Sequence, residues 1–108
     1  PGWLGDQLTV SGLVLHLEMM QLQWKNQTLK LKSGNFQLLE YMMRHPKQVL
    51  TYNQIELALW EWGEEPESNA VTVRIKRLRQ ELRKIGLETW IKTIYGTGYC
   101  FQPSDDDS

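Results

Sequence analysis

The sequence predicts an α+β fold, and three observations carry that prediction. The first third of the chain alternates apolar and polar residues in short runs, which is the period of half-buried strands. Three later segments place apolar residues at helical spacing. Two β-rich runs then close the chain around a turn holding two glycines.

At 108 residues, with 41% hydrophobic and 23% charged residues, the chain reads as one soluble domain. The domain spans 1–108, with an ordered core over about 7–102 and a small acidic tail at 104–108. No apolar run approaches the roughly 20 residues needed to cross a bilayer. The lone Cys100 excludes an internal disulfide, and no Cys/His cluster has zinc-ligand spacing, so neither metal nor cofactor is expected. The chain begins at Pro1 rather than Met and reads as a piece of something longer.

Leu8 to Val10, Leu13 to Leu17, Met20 to Trp24 and Thr28 to Lys32 are the strand-like runs. Ser11-Gly12 and Lys25-Asn26-Gln27 break them where turns belong, which predicts an antiparallel meander with one face on the core. His16 lies within a strand, has no second ligand at useful spacing, and reads as a structural histidine. Ser33 is the expected N-cap of a helix over Asn35 to His45, whose Phe36, Leu39 and Met43 share one face and whose Leu38 and Met42 lie on another. Pro46 ends it, with His45 placed where a cation favours the helix dipole.

Val49 to Thr51 adds a short strand, and Thr51 or Asn53 caps a second helix running to about Trp60. Ile55, Ala58 and Leu59 face inward in that helix, whereas Trp60 falls off the stripe. Its indole either meets a phosphate or packs under the following loop. That loop, Glu61 to Glu67, holds four Glu in seven residues and should turn away from a polyanion. It is either a surface for a protein partner or a solubilising connector.

Ser68 to Gly86 predicts the longest helix, with Val71, Ile75, Leu78, Leu82 and Ile85 as its buried stripe. Asn69, Thr72, Val73, Lys76, Arg77, Gln80 and Lys84 then face solvent, with Arg74, Arg79 and Arg83 on the flanks. From Asn69 to Lys84 six Lys or Arg stand against one Glu, a local charge of +5 in a chain whose net charge is −1. Such concentration suits a polyanion, nucleic acid above all; the competing reading is a merely solvated face. Val73 among the charges suits a thymine methyl, and Thr72, Arg77 and Gln80 carry the donors and acceptors that read base edges. Gly86 caps the helix, and Thr89 to Ile94 and Tyr99 to Phe101 form a hairpin around Tyr95-Gly96-Thr97-Gly98.

Strands, two helices, a long basic helix and a Gly-rich hairpin follow the order of a winged helix-turn-helix, with the hairpin as wing. FQLLEYMMRHPKQVLTYNQI, ALW, NAVTVRIKRLRQELR and IKTIYGTGYCF together resemble the DNA-binding effector domain of OmpR/PhoB-type bacterial response regulators. The resemblance runs from about Leu8 to Phe101. It implies that Thr72, Val73 and Arg77 face bases, and that Asn69, Lys76 and Arg79 reach bases or phosphates. It further implies backbone contacts from Trp60, Thr93 and Tyr99. Arg74 and Gln80 on the helix and Tyr95 in the wing complete the candidate DNA-binding residues. The family's wing usually carries Arg where this chain has Tyr95, Asn69 is often Arg, Thr72 is often Asp, and Asn35 replaces a common Glu.

The resemblance implies an N-terminal receiver phosphorylated on aspartate and pairs of domains on direct-repeat half-sites. The expected partners are promoter DNA, a second copy on that DNA, and RNA polymerase through the 61–67 loop, in the bacterial cytoplasm and away from the membrane. A winged-helix module whose basic helix meets an acidic protein is the alternative. No acid–base pair, nucleophile or phosphate-cradling loop suggests an enzyme.

Overall fold

The computed structural model describes residues 6–64 and 67–104; Glu65 and Pro66 of the acidic loop, and the expected tail beyond 104, lie outside them. Strands β1 (Gln7–Val10), β2 (Leu13–His16), β3 (Gln21–Trp24) and β4 (Gln27–Lys30) form the predicted antiparallel meander. Ser11 and Gly12 both hold positive φ, 50° and 86°, which gives the β1–β2 turn the twist its strands need. Leu13, Leu15 and Leu22 face the core with no exposed surface. His16 faces outward between Gln7 and Gln23, donating from Nε2 to Gln23 Oε1 at 3.0 Å.

Helix α1 spans Ser33–Met43, two residues earlier at each end than the sequence suggests. Lys32, not Ser33, is the N-cap: it is extended, makes no side-chain cap, and its carbonyl accepts from Phe36 N at 2.8 Å. The start is set from across the molecule, because Lys32 N donates to the Glu81 carboxylate at 3.4 Å. His45 therefore lies beyond the last turn, its ring edge-on to Tyr41.

β5 (Val49–Thr51) leads directly into α2 (Tyr52–Glu61), where Thr51 and Gln54 form a reciprocal capping box. α2 ends at Gly63, in the left-handed region at φ 86°, with Glu64 N bonded back to Leu59 O. α3 (Ala70–Arg83) follows and ends the same way, through Gly86 at φ 77° and Leu87 N on Leu82 O. All five residues of its predicted stripe are buried, and α3 packs against α1, α2 and the segment Glu88–Trp90.

A short 3-10 turn, Glu88–Trp90, precedes β6 (Ile91–Ile94) and β7 (Gly98–Phe101). β7 is the centre of a second sheet, order β5-β7-β6. Trp90 ties the two sheets together: it meets Trp24 of β3 at 5.0 Å between ring centroids and Phe101 of β7 at 6.0 Å.

Candidate nucleic-acid interface

Burying Val71, Ile75, Leu78 and Leu82 forces the opposite side of α3 outward. Asn69, Thr72, Lys76, Arg77, Gln80 and Lys84 are exposed there, and Val73 is half-buried. Asn69 makes no side-chain cap to its own helix. The face therefore presents three long cations, a hydroxyl, amides and the apolar Val73 side chain along one helix.

On one flank α3 is pinned to the hairpin. Arg79 Nη2 donates to Ile91 O at 2.7 Å and to Thr93 Oγ1 at 2.9 Å, and its guanidinium lies 5.6 Å from the centre of the Tyr99 ring. Tyr99 in turn meets Tyr52 at the start of α2, and proximity to Tyr99's phenol, with a hydrogen bond to it, raises the Tyr52 pKa above its ordinary value. Arg79, Thr93 and Tyr99 thus engage one another, and Tyr99 is only 5% exposed, with the Arg79 guanidinium and the Tyr52 ring against it. Position along the helix and strand alone does not reveal this lattice. Tyr95 stands apart at the hairpin tip, 90% exposed, beside Gly96 at φ 78°.

The other flank faces α1, and here the structure turns Arg74 inward. Its side chain is 14% exposed, its nearest anion among the described residues is Glu64 at 3.6 Å, and its guanidinium fills the space beside Gly34. Two turns further on, Glu81 is buried and accepts from Asn35 Nδ2 and from Lys32 N. Sequence reasoning missed this clamp. The available signal was a lone Glu beside Leu78 and Leu82 on the helix, and an Asn on the buried face of α1.

Between the first turns of α2 and α3 lies an open cleft of about 530 Å³, bordered by Asn53, Glu56, Glu67, Asn69 and Thr72. Its two carboxylates repel phosphate, so that end of α3 favours neutral groups. Trp60 is 53% exposed on α2, with Leu57 beside it at helical spacing and 55% exposed. Burial raises the Cys100 pKa above its ordinary value. Among the described residues no group of three His, Cys, Asp or Glu is placed to hold a metal, and no helix is long and apolar enough to cross a membrane.

An exposed basic third helix, a second helix packed against it and a hairpin fixed alongside define a winged helix-turn-helix domain. The chain belongs to the family described as "Transcriptional regulatory protein, C terminal", of OmpR/PhoB type, whose model matches residues 26–101. This is a family of transcription-regulator domains and not of enzymes. The heme response regulator HssR of Staphylococcus aureus (strain JH9) is 38% identical over 94 residues, 87% of this chain and 42% of that protein. The chain thus spans less than half the length of that curated relative.

Among solved structures, the C-terminal domain of the nisin resistance regulator NsrR, a lantibiotic response regulator, superposes with a TM-score of 0.78 at 28% identity. The match covers 91% of this chain and 99% of that one. The Klebsiella pneumoniae RstA DNA-binding domain, solved in complex with RstA box, shares the fold at a TM-score of 0.75 and 22% identity, over 92% and 99% of the two chains.

Proposed function

We propose that this domain binds double-stranded promoter DNA sequence-specifically, with α3 in the major groove and the β6–β7 hairpin beside the minor groove. The observation that carries the reading is the exposed side of α3, where Thr72, Arg77 and Gln80 can meet base edges while Lys76 meets phosphate. The relatives support it, since the named regulators are response regulators and the RstA fold was solved on its DNA box. On this reading the domain is the effector part of a two-component phosphorelay regulator in the bacterial cytoplasm. It pairs with a second copy on direct repeats and offers the 61–67 loop to RNA polymerase.

Site selection from random duplex DNA at one near-physiological salt concentration tests the proposal. The expected result is a repeated motif with half-sites about 10 bp apart, bound far more tightly than scrambled DNA. Failure of the isolated domain and of the phosphorylated full-length protein to enrich any sequence would contradict it, and would favour an acidic protein as the partner of α3.

A further inference from the structure

Arg74 is the strongest unexplained feature of the molecule. Its Nε and Nη2 are buried and have no hydrogen-bond acceptor among the described residues. A buried donor left unmade costs about 1–3 kcal/mol. Glu64, 3.6 Å away and 35% exposed, neutralises the charge without completing a hydrogen bond. The guanidinium has room only because residue 34 is glycine: a Cβ there would lie 1.8 Å from Arg74 Nη2. The cation is therefore parked in a place that holds it weakly.

Resting on the DNA-binding reading above, we propose that Arg74 exchanges Glu64 for a DNA phosphate when the domain docks, so that DNA binding and release of the Glu64 carboxylate are one coupled event. Arg77 lies one turn further along α3 and is exposed, so a phosphate running along the edge between that outward face and the α1 flank comes within reach of the long Arg74 side chain. Charge-assisted bonds to phosphate satisfy the donors that the parked state leaves unmade. Glu64 follows directly on Gly63 and its backbone stays bonded to Leu59 O, so losing the cation frees the Glu64 carboxylate itself. Coupling is reciprocal: a partner that captures Glu64 on this loop must raise DNA affinity by the same factor as DNA raises affinity for the partner.

The exchange is tested by anisotropy on a fluorescent mixed-sequence duplex, over a salt series, with the wild type, Arg74→Gln, Gly34→Ala, Glu64→Gln and the doubles Gly34→Ala/Arg74→Gln and Glu64→Gln/Arg74→Gln. Gly34→Ala should fold, because the obstructing atom is the end of a flexible side chain; its circular dichroism melt checks this. Arg74→Gln should lower the log–log salt slope by about 0.9, one phosphate. Gly34→Ala and Glu64→Gln should each tighten binding several-fold, and neither should do so in the Arg74→Gln background. An unchanged slope in Arg74→Gln, or the same tightening with and without Arg74, overturns the exchange while leaving the DNA-binding reading intact. A folded wild type that binds neither this duplex nor any selected site overturns that reading instead.

Discussion

Glu81 is the only carboxylate on α3, and it is buried where five cations share the helix. It holds Asn35 and the backbone of Lys32, so it satisfies the start of α1 with an anion at a helix N-terminus, where the dipole favours one. Removing it leaves the buried Asn35 amide and the part-buried Lys32 N–H without this acceptor. Glu81→Ala should lower stability by about 1–3 kcal/mol, read as a fall in the thermal midpoint. Glu81→Gln, which keeps an acceptor, should lose less. Equal midpoints for wild type and Glu81→Ala would show that the clamp contributes nothing. The same scale shows where sequence reading stops. Helical spacing places Arg74 and Arg79 on the flanks of α3, but which way each turns depends on Gly34 and Thr93, and nothing local on the helix pairs Glu81 with Asn35.

At the scale of elements, the hairpin and α2 form one rigid unit. Gly98 pairs with Thr51, and a Cβ on it would lie 2.0 Å from Leu50 O, a backbone atom that cannot step aside. Tyr52 N also donates to Thr97 O at 3.1 Å. Gly98→Ala should therefore part β5 from β7. The expected outcome is accelerated amide hydrogen exchange in Val49–Thr51 and Gly98–Phe101, with α1 and β1–β4 keeping their protection. Unaltered exchange in β5 would refute this packing.

Element positions were largely legible in the sequence. The meander, the Thr51 cap, the stripe of α3 and the glycine stops all follow from local chemistry. The start of α1 was not, because its cap lies on another helix. The burial of Tyr99 was not legible either, because a strand's pattern does not reveal that Arg79 and Tyr52 lie against its ring.

At the scale of the whole molecule, charge is segregated rather than accumulated. A net charge of −1 limits general attraction to DNA, yet the outward side of α3 concentrates cations while Glu61, Glu64 and Glu67 lie in the connecting segment. Affinity for arbitrary DNA should be modest, and selectivity should rest on a few base contacts, Arg77 foremost. The most direct measurement of that claim compares Arg77→Ala and Lys76→Ala with the wild type by anisotropy on the selected duplex and on its scrambled counterpart at one salt concentration. Arg77→Ala should lose about 1–3 kcal/mol on the selected site and little of it on scrambled DNA, while Lys76→Ala weakens both alike. Equal losses on both duplexes for Arg77→Ala would contradict base reading by α3.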